Sequence, residues 1–297
     1  MLRRNGSWTR LGLGGLACGA ALLVAAAAWG SPFATQVVSY VEGNYPQAGY
    51  TDPTAALGAP SSTTPGWPSG MVDVTVFNGP WGTDQLVSMG PGGGIVVKFD
   101  HAVADRTDAN RWGIDFLVFG NSYLVDVNYP SGQADPDGSI YADPIGVAVS
   151  QNGTTWFEAG VTCTRRFPTM GFTNTSDPYG SDGSVLSDFT SPVDPNMDLG
   201  GKTFSQIQAA YKGAGGGMGV DFHDTGLAWV QYVKVFVDAN ADVDDSEVDA
   251  IVEVAPEPAT LSALALGGAL ALCWRRRAGR GPRGRTAGTP DPARVAG

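Results

Sequence analysis

A mainly β fold is what this 297-residue chain predicts: a jelly-roll-like antiparallel β-sandwich with one short helix. Three observations carry that prediction. Short runs of β-branched and aromatic residues recur from Gln36 onward, many alternating with period two. Glycine and proline, 42 and 20 residues of the chain, punctuate those runs with turns. Only one segment, Thr203 to Lys212, carries a helical pattern. Apolar stretches flank the sandwich, at 11–28 as an N-terminal signal helix and at 259–274 as a C-terminal transmembrane helix.

The N-terminal segment justifies itself by its order. Arg3, Arg4 and Arg10 precede an uncharged Ala/Leu/Gly/Val run from Leu11 to Ala28, and small residues follow at Ala28, Gly30 and Ala34. This is the pattern of a secretory signal peptide, assigned to residues 1–34 with cleavage after Gly30 or Ala34. Cys18 lacks a lipobox and Arg3-Arg4 lacks the rest of a twin-arginine pattern, so the general secretory route is expected.

The ectodomain then spans 35–254. Strands are expected at Val37–Val41, Met71–Phe77, Gln85–Ser88, Ile95–Phe99, Ile114–Phe119, Ile145–Ser150, Thr154–Ala159, Val230–Val237 and Glu247–Val254. Asn152-Gly153 predicts a tight hairpin with a type I′ turn. In the helix, Phe204, Ile207 and Tyr211 share one face, and the glycines from Gly213 end it. Trp112, Trp156 and Trp229 border strands and are expected in the core.

Charge and cysteine usage exclude whole classes. Of 18 Lys and Arg residues, three precede residue 35 and seven follow residue 274, leaving 8 basic against 28 acidic side chains between. Such a domain does not bind nucleic acid by charge. It suits solubility and divalent cations. Cys163 is the single cysteine outside the two apolar segments, so the ectodomain holds no internal disulfide.

The C-terminal stretch is the most specific. Pro256-Glu257-Pro258 is followed by an uncharged run from Ala259 to Trp274, then Arg275, Arg276 and Arg277. Sixteen residues rise roughly 24 Å as a helix, slightly short of the roughly 30 Å hydrocarbon core. The arginines stop transfer and stay cytoplasmic. This order resembles the PEP-CTERM sorting signal of bacterial envelope and matrix proteins, over residues 255–277. The resemblance implies export, transient inner-membrane anchoring and processing near Pro256–Pro258 by an exosortase-type enzyme. The final 278–297 form a disordered basic tail, which departs from the usual ending close to the arginines. Within the ectodomain, Val149-Ser-Gln-Asn152-Gly153-Thr-Thr-Trp156 and Tyr50-Thr-Asp-Pro-Thr-Ala-Ala-Leu-Gly-Ala-Pro60 resemble the discoidin and galactose-binding-like sandwiches, a likeness that assigns no activity.

Candidate sites follow from oxygen spacing and exposed aromatics. Asp238, Asn240, Asp242, Asp244 and Asp249 match positions one, three, five, seven and twelve of a calcium loop, although the sixth position is Val243 and not glycine. Asp126 to Asp143 forms a second acidic loop. Trp67 and Trp81 lie in turn sequence, where an indole can stack on a sugar ring. Asp221-Phe222-His223-Asp224 sets carboxylates beside an imidazole, but the chain has no His-Glu-x-x-His, Gly-x-Ser-x-Gly or cysteine pair, so no enzyme is expected. The expectation is an exported cell-surface or extracellular-matrix protein with a structural or adhesive role against extracellular polysaccharide. A calcium-assisted carbohydrate-binding module is the first alternative and a secreted hydrolase the second.

Overall fold

Alternation decides the largest sheet. In Trp229–Phe236, Val233 and Val235 are buried while Lys234 and Phe236 are not, as a strand with one face on a core requires. In chain order the strands are β1 (Gln36–Val41), β2 (Thr63–Pro65), β3 (Met71–Asp73), β4 (Val87–Met89), β5 (Gly94–Ala104), β6 (Phe116–Phe119) and β7 (Tyr123–Leu124). They continue with β8 (Ile140–Tyr141), β9 (Gly146–Ser150), β10 (Phe157–Glu158), helix α1 (Phe204–Tyr211), β11 (Met218–Val220), β12 (Trp229–Phe236), β13 (Ser246–Val248) and β14 (Ala250–Glu253). This computed structural model describes residues 30–107, 109–159 and 166–255.

A five-stranded antiparallel sheet has the order β1-β5-β12-β9-β10, and a three-stranded antiparallel sheet the order β11-β6-β14. One core joins them. It holds Ile95, Val97 and Phe99 of β5 and Val233 and Val235 of β12 against Phe116, Val118 and Ile251 of the smaller sheet. The smaller sheet is also covered on its other face, where Leu117, Phe119, Ala250 and Val252 pack with Phe189 and Phe33. A third cluster lies under the long loops. There Phe204, Ile207 and Tyr211 of α1 meet Val76, Leu124, Phe167 and Met170. Gln206 accepts the Thr203 N–H at the start of α1, and Lys212 in the left-handed region ends it.

β5 and β12 change register between Val230 and Tyr232, whose partners are Val103 and Lys98. Phe99 to Ala102 therefore bulge opposite Gln231, whose side-chain amide donates to the Phe99 carbonyl at 3.0 Å. The bulge puts Val230 in the same buried core as Val233 despite their odd spacing.

Several expectations are corrected. The run Glu247–Val254 is two strands in two sheets, hinged at Asp249. Met71–Phe77 is extended only to Asp73, and Thr75 then turns back to bond Asn78. The β9–β10 connection is six residues and not a two-residue type I′ turn. Only Gly153 takes a positive φ, and the Asn152 side chain instead accepts the Thr154 and Thr155 N–H groups. Trp112, in the turn before β6, and Trp229, at the start of β12, are exposed, and Trp156 is only half-buried. Residues Ser31 to Ala34, assigned to the leader, belong to the folded domain. Among the described residues no helix is long and apolar enough to cross a membrane. The expected span at 259–274, the signal helix at 11–28, Cys163 and the tail 278–297 lie outside the described residues.

Phe116→Ala is expected to cost about 3–5 kcal/mol, since Phe116 is fully buried between the sheets. Trp67→Ala should stay within about 0.5 kcal/mol. Urea unfolding of the two variants checks the contrast.

Candidate functional site

The two ends of the sandwich carry different chemistry. At the end where Gly94 pairs with Phe236, the loops 42–45, 90–93 and 238–244 come together. Gly90 donates to the Glu42 carbonyl and Asn44 to the Pro91 carbonyl, which laces two of these loops together. A Cβ on Gly90 would overlap the Asn44 carbonyl, so the lacing needs glycine. The result is a shallow cleft of about 420 Å³, lined by Asn44, Tyr45, Pro91, Asp242, Val243 and Asp244 among others. Tyr45 stands at φ 58°, a backbone region that bulky residues rarely adopt, and is 82% exposed.

Behind the cleft lies a crowded set of acids. Burial pushes the Glu247 carboxyl up to about 7, and the charges of Asp245 and Asp143 add to it. Asp143 is raised by burial as well, against the pull of Arg166. Arg166 is itself buried, and its guanidinium donates to the Asp143 and Glu247 carbonyls at 3.1 and 2.6 Å. Gly120 leaves the room for that guanidinium. The two acidic loops read in the sequence thus meet here, through Asp143 of one and Asp244, Asp245 and Glu247 of the other.

The residues of the expected calcium loop take up different positions. Asp242 and Asp244 line the cleft. Asp238 instead accepts its neighbour Asn240, from the backbone N–H at 2.7 Å and the side-chain amide at 3.2 Å. Asp249 is buried, and its oxygens accept the Ser61 N–H at 2.8 Å and hydroxyl at 3.0 Å. Trp67 is 92% exposed at the tip between β2 and β3, and Trp81 is exposed with its N–H bonded to Thr64 of β2. Nothing in the sequence singles out Tyr45, because Asn44-Tyr45-Pro46 reads as an ordinary turn.

The opposite end, where Ala104 pairs with Trp229, holds Asp105, Asp115 and Asp221, each with one carboxylate oxygen within 4.8 Å of the others. These could offer a hard cation three oxygens of the six to eight that calcium takes. Asp115 is fully buried and accepts the Arg106 and Phe222 N–H groups at 2.6 and 2.9 Å. Burial still lifts its carboxyl to about 7. His223 Nδ1 lies 2.9 Å from Asp105, a contact that raises the imidazole above its usual range. Asp221 and His223 come from the Asp221-Phe222-His223-Asp224 segment that the sequence singles out, but Asp105 and Asp115 lie more than a hundred residues away and no local motif announces them.

Residues 254–277 match the family model of the PEP-CTERM protein-sorting motif. The chain carries a PEP-CTERM protein-sorting motif. It is therefore an exported, envelope-associated protein, and the motif is of the kind recognised by an exosortase-type enzyme. Pro256, Glu257, Pro258, Arg275, Arg276 and Arg277 all fall within the match and outside the described residues. The match starts at Val254, a buried residue directly after β14. No curated protein matches the chain.

Asp115, Asp249 and Glu247 each hold a proton up to about pH 7, whereas unfolded carboxylates lose it near 4. Between these values the folded state binds more protons than the unfolded one, so stability falls as pH rises. His101 acts in the same sense. Burial opposes its charge, but hydrogen bonds to Asp100 and Glu253 outweigh that and raise it. The Tm is expected to drop by several degrees from pH 5.5 to pH 8, and Asp249→Asn should flatten the slope. A Tm that climbs over this range would contradict the assignment.

Proposed function

We propose that this protein is an exported cell-surface or extracellular-matrix protein whose structural or adhesive role is contact with extracellular polysaccharide at the Tyr45 cleft. The exposed Tyr45 ring beside the carboxylates of Asp242 and Asp244 is the observation that carries this reading. An aromatic face stacks on the apolar face of a sugar ring, and carboxylates accept hydroxyl hydrogen bonds. An open, shallow cleft suits a chain that passes through it better than a small enclosed ligand. Trp67 and Trp81 supply further exposed rings.

The position of the cleft supports the same reading. Val254, where the sorting motif begins, follows the strand end at Glu253, which pairs with Phe116 at the start of β6. The cleft adjoins the other end of the sandwich, roughly 30 Å away along the eleven residues of β5. Anchoring and binding would therefore use different ends of one domain. A jelly-roll-like wind suits that division, with its loops gathered at the two ends.

Calcium assistance is the second reading. The crowding of Asp143, Asp244, Asp245 and Glu247 behind the cleft favours it, since a divalent cation relieves their mutual repulsion. No catalytic role is part of either reading.

Co-sedimentation of the exported protein with the producing cell's own exopolysaccharide, in calcium and in EDTA, tests both. Saturable binding weakened about tenfold by Tyr45→Ala is expected, which corresponds to about 1.4 kcal/mol. Loss in EDTA, and in Asp242→Ala, would add calcium to the mechanism. No binding in either buffer would overturn the polysaccharide reading.

A further inference from the structure

The N-terminal residues of the domain are built into its last strand. Ala34 is fully buried and donates its N–H to the Ile251 carbonyl at 3.0 Å. Phe33 bridges Val252 and packs in the outer core. The Glu253 N–H donates to the Pro32 carbonyl at 2.6 Å. Pro32 to Ala34 thus pair with Ile251 to Glu253 of β14 through two backbone hydrogen bonds. A leader cut after Ala34 would remove Ser31 to Ala34. It would leave the Glu253 amide and the Ile251 carbonyl without these partners and open the apolar layer under Phe33, losses of the kind that buried backbone does not tolerate.

A cut four residues earlier leaves Ser31 to Ala34 in place and, of the described residues, removes Gly30 alone. Gly30 and Ala28 are small residues at the two positions that a leader-cleaving protease reads. The Ser31 nitrogen lies 3.1 Å from Asp100 Oδ2, within the bulge of β5. Asp100 is surface-exposed, and its other oxygen faces His101 Nδ1 at 2.7 Å. His101 in turn reaches Glu253 at 2.6 Å, beside Arg106 at 2.7 Å from the same carboxylate.

We infer that the leader is cut at the Gly30–Ser31 bond and that the new α-ammonium of Ser31 is held by the Asp100 carboxylate. Water adds across this amide: its oxygen stays on Gly30, which leaves as a carboxylate, and both of its protons go to the Ser31 nitrogen, which becomes an ammonium. A hydrogen bond from a neutral amide to the carboxylate becomes an ion pair of ammonium and carboxylate at the same site. The carboxylate is already prepared for it. Hydrogen bonds from His101 and from the Ser31 N–H hold Asp100 below the usual range. The proposal rests on the export reading, since an unexported chain meets no such protease.

Intact mass and N-terminal sequencing of the protein recovered from the cell envelope or medium test the site. A chain that begins at Ser31 is expected. A chain that begins at Thr35 or Trp29 would overturn the site while leaving export intact. A chain still beginning at Met1 would show that no leader is cut and would overturn the site and the pairing together, while leaving export intact. Titration of the α-amino group by NMR after isotopic methylation tests the pairing. Its pKa should lie above the ordinary range of about 7.7–8.0 and return there in Asp100→Asn. An ordinary value in the unsubstituted protein would overturn the pairing.

Discussion

Burial of the three-stranded sheet on both faces is the constraint on which the rest of this domain depends. β6 and β14 have no solvent face, so Phe116 and Ile251 look into the main core while Phe119 and Val252 look into the outer one. A strand covered on both sides cannot be built from alternating residues. It also cannot leave a backbone group unpaired, because no water reaches it. The five-stranded sheet covers one face. The other is covered by irregular chain, Phe189 from a long loop and Phe33 from the N-terminus. The segment before β1 is thereby part of the fold.

The acids follow from the same constraint. Asp115 precedes β6, Asp249 separates β13 from β14, and Glu253 ends β14. Each is buried at an end of the doubly covered sheet, where backbone N–H groups or side-chain donors need acceptors. A carboxylate satisfies several donors at once but carries charge into a poorly solvated place. The raised values of Asp115 and Asp249 express that cost. The acids of the cleft, Asp242 and Asp244, are instead exposed.

β12 is legible in the sequence because period-two alternation reports one-sided burial. β9 and β6, buried along nearly their whole length, are legible as short apolar runs bounded by turns, and α1 by its apolar face. The apolar run ending at Val254 reads as one strand. Nothing local shows that Asp249 turns inward to Ser61, 188 residues away, and splits it between two sheets. The tryptophans misled for a related reason: a large ring beside a strand end has as much reason to lie over the rim as in the core. The sorting motif was fully legible, since its order of signal, apolar run and arginines is local. The cleft was half legible. Its acids stood out by spacing, but Tyr45 is brought to them only by the lacing of Gly90 and Asn44.

The domain therefore ends on its most deeply embedded strand, and the sorting motif begins where that strand stops. Native-state hydrogen exchange on the exported protein tests this most directly. The account predicts that Val118, Ile251 and Val252 exchange among the slowest amides, through global unfolding alone. Fast exchange in β14, with β5 and β12 still protected, would show that the last strand opens independently and would contradict it.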